Sequence, residues 1–394
     1  LTDVFGTALP ESLRYVTITN MTVVPDGAFR DCVNIRKIEF TQKADEVGSE
    51  AFYNCRSLAE ADYKHAATIG KYAFYGCKGL TKLFLPIISG ESDGKVTYLF
   101  GTDSGDNSYK TYSLAEFDLT SGSFGKVESY AFSGLTTLTE IRLPDTVTEF
   151  GYGAFSDIQA KIYYEAALSA VTAGMYAGYK GVSVKISDTV TKIGSEAFKD
   201  ASYLTEIVLP AAVTDIEEYA FRNVKAKITF AGENVTLFKN RVFFGYAGET
   251  VNIPSSVVTV ESFAFKEAKI KKITVPNTIE NFGNNVFDGC VALTEVNYNL
   301  SVLPSATFNN CVSLKSATIP DLTEIGSNAF YGCVSMTDIS LPKSLTAISD
   351  GAFYACDSLR TVVFGCENIP TFGKNIFGSN VKISAYIKKE LVVD

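Results

Sequence analysis

The chain has 394 residues, of which 46% are hydrophobic and 20% charged, so it carries enough apolar material for a continuous core. Its formal net charge of −9 disfavours a nucleic-acid partner, because phosphate recognition needs clustered Lys and Arg, and it also disfavours adhesion to anionic lipid. No apolar run reaches the length of about 18 residues that a spanning helix needs, so no membrane insertion is expected. The sequence begins with Leu1 rather than Met, and we expect either that a leader has been removed or that the sequence starts inside a longer one.

One sequence unit recurs along the whole chain, and its clearest mark is the pair Ala-Phe. We call the aromatic positions slots; they recur at a nearly constant interval, except for two longer gaps on either side of Phe100. This regularity is typical of a repeat protein, whose units must stack to bury their apolar edges. The predicted slots are Phe5, Phe29, Phe52, Phe74, Phe100, Phe132, Phe155, Tyr176, Phe198, Phe221, Phe244, Phe265, Phe287, Phe308, Phe330, Phe353 and Phe377.

Within a unit the predicted elements follow a fixed order, which is clear from Ala329 to Pro342. The slot Phe330 and the residue three positions later, Cys333, share one face, which predicts a short helical turn. The alternation at Ile339 and Leu341 then predicts a short strand, which the following proline ends. A second extended piece comes next, and a glycine is expected to turn the chain into the next Ala-Phe pair.

Stacking these units places the slots in one column and joins the strands into a parallel sheet. We therefore predict an α/β, β-rich, right-handed solenoid of about seventeen coils, with a parallel strand sheet on one face and a short helical turn in each coil. Predicted strands include 141–143, 207–209 and 339–341. Residues 1–394 are predicted to form a single domain that starts in the middle of a repeat and carries insertions within 87–112.

The unit I-G-x-x-A-F-x-x-C-x-x-L-x-x-I-x-L-P resembles the BspA-type leucine-rich repeat, a family found in surface proteins of oral and gut bacteria and in some protist parasites. The resemblance covers essentially the whole chain. It implies a leucine-rich-repeat fold and a secreted or surface-anchored, adhesin-like binding protein with no cofactor. The chain departs from the pattern within 87–112 and around Ile162 and Ile383, where the distance from slot to strand is shorter.

Seven of the eight cysteines lie three residues after a slot. They recur with the period of the repeat, which matches no zinc motif, whereas disulfides between adjacent coils are compatible with the distance between stacked coils. Because Leu135, Ile158 and Val224 occupy the same position in other units, we interpret it as an apolar site and expect buried free thiols. Cys366 lies outside the series and is interpreted as a lone surface thiol. The seven are Cys32, Cys55, Cys77, Cys290, Cys311, Cys333 and Cys356.

The sequence contains no arrangement that indicates catalysis, so the protein is not predicted to be an enzyme. His65, the single histidine, lies in a turn-like stretch and has no nucleophile elbow beside it. The carboxylates recur with the repeat period, as on a solvated face, and no phosphate loop or dinucleotide fingerprint is present. Loop 101–108 carries oxygen ligands but lacks the order of an EF-hand, so it is expected to be a surface excursion. Neither a metal nor a cofactor is predicted.

The outward side of the strand sheet is the remaining candidate site, since strand side chains alternate between the two faces. Most outward residues are small or charged, but Phe84, Arg142 and Tyr163 are residue types that anchor interfaces. They adjoin the insertion, and inserted loops on repeat arrays often lie at binding faces. The predicted partner-binding residues are Lys82, Phe84, Glu116, Asp118, Glu140, Arg142, Lys161 and Tyr163 on the strands and Tyr109 and Tyr112 in the insertion.

Three functional hypotheses remain open at this point. The favoured one is a non-enzymatic, monomeric binding or adhesion module of a bacterial surface or secreted protein, which recognises a protein or glycan of a host or cell surface through an extended repeat face. The second is a structural spacer or stalk within a larger surface protein. The third is a carbohydrate-active enzyme, which the single histidine and the repeat-bound carboxylates disfavour.

Overall fold

Most of the described coils contain one longer strand, one two-residue strand and one turn, and the strands of successive coils pair in parallel. The chain divides into two compact units, Leu1–Ser187 and Asp188–Asp394, which we describe separately. The single domain expected for 1–394 therefore stays a prediction. The computed structural model describes residues 11–87, 96–100, 113–164, 166–366, 370–378 and 384–385.

The first unit contains a set of long strands and a set of short strands, numbered in chain order. The long strands are β1 (Tyr15–Ile18), β3 (Lys37–Phe40), β5 (Glu60–Asp62), β7 (Lys82–Phe84), β8 (Glu116–Asp118), β10 (Glu140–Arg142) and β12 (Lys161–Tyr163). The short strands are β2 (Val23–Val24), β4 (Glu46–Val47), β6 (Thr68–Ile69), β9 (Lys126–Val127), β11 (Glu149–Phe150) and β13 (Ala170–Val171). The largest sheet of this unit is parallel and has the order β5-β7-β8-β10-β12.

The second unit repeats the same arrangement. Its long strands are β15 (Glu206–Leu209), β17 (Lys227–Phe230), β20 (Lys272–Val275), β22 (Glu295–Tyr298), β24 (Ser316–Thr318), β26 (Asp338–Leu341), β28 (Thr361–Phe364) and β30 (Ser384–Ala385). Its short strands are β14 (Lys192–Ile193), β16 (Asp215–Ile216), β18 (Leu237–Phe238), β19 (Thr259–Val260), β21 (Asn281–Phe282), β23 (Val302–Leu303), β25 (Glu324–Ile325), β27 (Ala347–Ile348) and β29 (Thr371–Phe372). The three predicted strands coincide with β10, β15 and β26 to within one residue.

The slot rings form the centre of the core in both units. In the second unit the Phe308 ring is fully buried, and its centroid lies 5.4 Å from that of Phe287 and 5.4 Å from that of Phe330, with nearly parallel planes. In the first unit Phe29 and Phe52 stack in the same way at 5.4 Å. The predicted column of slots is therefore confirmed in each unit, and it places one aromatic ring in every coil that the structure describes.

One predicted slot is wrong by one residue. Phe243 is fully buried and stacks 5.3 Å from Phe221 and 4.7 Å from Phe265, whereas Phe244 is half-exposed. In this coil Val242 stands where most coils have an alanine before the slot, so the sequence offered two adjacent phenylalanines without that guide.

The predicted helical turn is a series of β-turns, because only alternate amides bond within the coil. The Cys55 N–H donates to the Phe52 carbonyl (3.1 Å), which closes a turn and places the thiol beside the ring, as expected. The Phe52 N–H instead donates to the Ala73 carbonyl of the next coil (2.9 Å). Left-handed backbone at Glu50 and Asn54, with φ of 55° and 60°, interrupts any helix.

A helix is recorded at one place in the described part of the chain, α1 (Thr97–Phe100), where it carries the slot Phe100. The described residues contain no helix with the length and apolar character needed to cross a bilayer.

The glycine after a short strand allows successive coils to pack closely. It does not produce the turn of the chain that the sequence predicted. A Cβ atom on Gly326 would lie 2.7 Å from the Ser305 nitrogen and 2.8 Å from the Leu303 carbonyl oxygen, and its φ is not in the left-handed region. A Cβ atom on Gly70 would lie closer still to the preceding coil, at 2.2 Å from the Ser49 nitrogen. Any side chain at these positions would push the coil away from its predecessor.

The eight cysteines are all free and buried, so the buried free thiols predicted for the seven of the series are confirmed. The Cys311 thiol donates to the carbonyl of Phe287, the slot of the preceding coil (3.2 Å), and Cys333 does the same to Phe308 (3.3 Å). Burial raises the pKa of Cys356 to about 12 and raises the pKa values of Cys311 and Cys333 well above their usual range.

The surface position predicted for Cys366 is wrong, because only 9% of this residue is exposed. Coil pairing continues past the end of β28, where the Gly365 N–H donates to the Leu341 carbonyl (2.9 Å). This bond holds the following residue against the preceding coil.

Replacing one slot ring should destabilise the fold strongly. We expect Phe308→Ala to lower the free energy of unfolding by about 3–5 kcal/mol, because the cavity is shared by the rings above and below. Tyr203→Ala is the control; Tyr203 is an aromatic side chain with 59% exposure, and we expect a change within about 0.5 kcal/mol. Urea unfolding of both variants measures the difference, and equal effects would contradict the stacked column.

Cys311, Cys333 and Cys356 should be unreactive in the folded protein at pH 8, because burial raises their pKa values and leaves almost no thiolate, the reactive form. Denaturation at the same pH should release all eight to a thiol reagent without added reductant. Fewer than eight thiols would reveal disulfides, and rapid reaction of the folded protein would show that the series is exposed.

Candidate partner-binding site

The predicted strand residues lie together on the outward side of the five-stranded sheet of the first unit. Leu83, Phe117 and Ile141 are fully buried on its inward side, so the residues before and after them point away from the core. The parallel register aligns the outward residues of β7, β8, β10 and β12 in two rows. The first row is Lys82, Glu116, Glu140 and Lys161, and the second is Phe84, Asp118, Arg142 and Tyr163. We call these eight residues the strand-face patch.

Most charges of the strand-face patch are neutralised within it. The Lys82 Nζ lies 3.2 Å from the Glu116 Oε2 across adjacent strands, and Arg142 forms an ion pair with Glu140 on its own strand. Asp118 accepts a hydrogen bond from the backbone N–H of Thr120 (2.9 Å). A surface with few unpaired charges loses less hydration energy when a partner covers it.

The aromatic residues of the patch are accessible. Tyr163 is 42% exposed, and the guanidinium carbon of Arg142 lies 4.8 Å from its ring centroid. Phe84 is half-exposed between Asp62 and Asp118 in its row. Arg142 is held by both Glu140 and Tyr163, so it needs little ordering when it binds.

A groove runs along the edge of the sheet beside Arg142 and Tyr163, and it adds residues that the sequence did not single out. Thr120, Tyr164 and Lys185 line it, and the Tyr164 hydroxyl donates to the Lys185 carbonyl (2.7 Å). Thr120 and Tyr164 each come just after the end of a long strand, and the ends of parallel strands lie at the same edge of a sheet. Their positions relative to the predicted strands could therefore have identified them.

Other predicted features lie elsewhere or outside the described residues. Tyr109, Tyr112 and loop 101–108 are among the residues that the structure does not describe. His65 is exposed in a turn that follows β5, as expected. In the described residues, no three side chains of His, Cys, Asp or Glu form a group that could hold a metal ion.

The rest of the long-strand face differs in character. The described long strands of the second unit carry no aromatic residue at an outward position, and their most exposed large apolar side chain is Val208 at 48%. In the first unit the sequence reasoning missed Tyr15, which is 68% exposed on β1 and aligned with Lys37. The alternation of β1 could have indicated it.

Comparison with known proteins gives a family match over most of the chain. The model described as "BspA type Leucine rich repeat region (6 copies)" matches residues 9–90, 102–227, 169–294 and 293–390. No curated protein matches the sequence.

Several solved structures are similar to this chain. A leucine-rich repeat protein from Bacteroides ovatus has 18% identity and a TM-score of 0.58 over 94% of this chain and 92% of its own, which confirms the predicted fold class. One from Eubacterium ventriosum has 19% identity and a TM-score of 0.46 over 73% and 90%. A leucine rich cell surface protein from Faecalibacterium prausnitzii has 24% identity and a TM-score of 0.37 over 89% and 87%. The handedness and the number of coils stay predictions.

The ion pair of the strand-face patch should contribute little to stability. Lys82 is 51% exposed and Glu116 26%, so we expect Lys82→Gln to change the free energy of unfolding by less than about 1 kcal/mol. Urea unfolding at low and high salt measures this change. A larger loss that salt abolishes would mean that the pair stabilises the sheet instead of remaining available to a partner.

Proposed function

Because the chain belongs to the BspA-type leucine-rich repeat family, we propose that it is a non-enzymatic binding or adhesion module of a bacterial surface or secreted protein. Its partner is a protein or glycan outside the cell, and the chain acts as a monomer. The observation that carries this proposal is the strand-face patch, where Phe84, Arg142 and Tyr163 lie in one row of a parallel sheet.

The dimensions of the patch suit a folded partner. Three strand steps separate Phe84 from Tyr163, and at ~4.8 Å per step this is about 15 Å. Two aromatic anchors at that distance lie within the central, water-excluding part of an ordinary interface. The backbone hydrogen bonds of the sheet fix both anchors before the partner arrives, which reduces the entropy lost on binding.

The same geometry supports a binding role over a catalytic one. Glu116 and Glu140 are engaged by cations and Asp118 by a backbone amide. His65 is exposed in the turn that follows β5 and is not part of the two rows that form the patch. Within the described residues, therefore, no base is positioned to activate a nucleophile in the patch.

Binding should first be sought on arrays of host extracellular-matrix proteins, mucins and glycans with the intact chain. A specific partner is the expected outcome. Absence of binding to every class of probe, with the protein folded, would contradict the binding role and favour a spacer.

Substitutions then test the site against any partner found. We expect Phe84→Ala combined with Tyr163→Ala to weaken binding by at least ~2 kcal/mol, about thirtyfold, because both anchors are removed. The thermal midpoint should hardly change, since both side chains face solvent. Tyr130→Ala is the control; Tyr130 is 48% exposed in the same unit, but on a turn. An unchanged affinity in the double variant, or an equal loss in the control, would show that the partner uses another surface.

A further inference from the structure

A second cluster of partly exposed side chains lies on the turns of three successive coils in the second unit. Each coil contributes the residue two positions before its slot and the residue one position after it. Aromatic and basic residues alternate in both series, so that every cation has aromatic neighbours. We call the six residues the checkerboard: Tyr219, Arg222, Arg241, Phe244, Phe263 and Lys266.

The cations of the checkerboard lie over its rings. The guanidinium carbon of Arg222 is 5.6 Å from the Tyr219 ring centroid and 5.5 Å from that of Phe244. The guanidinium carbon of Arg241 is 6.0 Å from the Tyr219 centroid and 5.0 Å from that of Phe263. Each of the three rings therefore carries at least one cation, and the two guanidinium groups approach the same tyrosine.

These two guanidinium groups are not neutralised within the described part of the chain, where neither forms an ion pair with a carboxylate. The Nε of Arg222 is buried without an acceptor, and Arg241 donates to the neutral side-chain amide of Asn240 (2.7 Å). Lys266, by contrast, pairs with Asp288 at 2.9 Å. Two cations that share one ring repel each other, so an anion placed between them would be bound favourably.

The first unit has an arginine at the same position, and the charge of that arginine is paired with a carboxylate. Arg30 also follows its slot by one residue, and its guanidinium carbon lies 4.4 Å from the Tyr53 ring centroid. Arg30 forms an ion pair with Glu50 of the next coil. An arginine that stacks on a ring can therefore also pair with a carboxylate of this chain. The checkerboard differs because, among the described residues, neither Arg222 nor Arg241 has such a carboxylate.

The turn that carries the checkerboard has the same backbone conformation as the equivalent turns of other coils. Tyr219, Arg241 and Phe263 adopt left-handed φ values of 58°, 56° and 63°, where large side chains are uncommon. Tyr72, Tyr130 and Gly351 occupy the equivalent positions in other coils and adopt the same conformation, with φ of 59°, 57° and 65°. The left-handed backbone is therefore a property of the turn.

We propose that the checkerboard is a docking surface for an acidic polypeptide segment, whose carboxylates pair with Arg222 and Arg241. The N–H donors of a guanidinium lie in its plane, so stacking on a ring leaves them free to form two parallel bonds with a carboxylate. A sugar ring or nucleobase would instead need a ring face, and each ring already carries a cation. This surface is separate from the strand-face patch, and the proposal does not depend on it.

Fluorescence anisotropy with a labelled octaglutamate peptide and the intact chain tests the proposal. The native protein should bind the peptide at low ionic strength, and added NaCl should weaken the binding. Arg222→Gln combined with Arg241→Gln should weaken it at least tenfold, while Arg30→Gln should leave it unchanged, since Arg30 already has a carboxylate partner. The thermal midpoint of each variant reports folding, and Arg241→Gln alone, expected to weaken binding at least threefold, replaces the double variant if that variant unfolds.

Two further measurements separate this surface from general charge attraction. Arg222→Lys combined with Arg241→Lys keeps the charge but removes the planar donors, so binding should still fall severalfold. Octaglutamate binding that survives this change or the glutamine variants would overturn the proposal. Tighter binding of a heparin oligosaccharide or an oligothymidine strand than of the peptide would overturn it as well, because the occupant would then be a glycan or a nucleic acid.

Discussion

Stacking of the slot rings is the interaction on which the other features of each unit depend. A coil of two short strands and a turn has no core of its own, and it gains one only from the ring above and the ring below. The rings of Phe287, Phe308 and Phe330 are separated by 5.4 Å at each step, which is close to the spacing of neighbouring strands. The spacing of the rings is therefore compatible with the spacing of the strands. The Cys311 thiol adds a hydrogen bond between coils, which it donates to the Phe287 carbonyl.

This constraint leaves the outward residues free to vary. A position that faces solvent in one coil faces solvent in the next, so a row of side chains can change composition without any cost to the core. The strand-face patch uses this freedom on the long strands of the first unit, and the checkerboard uses it on the turns of the second. Both surfaces combine side chains of successive coils, which lie about one repeat apart in the sequence and side by side in the structure.

The sequence predicted the parts of the fold that repeat and failed where one coil departs from the rest. The Ala-Phe pairs and the alternation at Ile339 and Leu341 were sufficient for the slots and strands, because large residues recur there in every unit. The spacing from Phe330 to Cys333 suited a helix and a β-turn equally, so the left-handed residues could not be foreseen. The error at Phe244 had a further consequence. Assigned to the core, it concealed the checkerboard, in which Phe244 is a surface residue.

The two proposed surfaces differ in how their charges are satisfied, and this difference predicts two kinds of recognition. In the strand-face patch Arg142 already has Glu140 and Tyr163, so a partner gains mainly by covering Phe84 and Tyr163, a contribution that salt hardly affects. In the checkerboard Arg222 and Arg241 have rings but no carboxylate among the described residues, so a partner gains by supplying the missing charge, which salt screens. Salt dependence therefore distinguishes the two surfaces even before any residue is substituted.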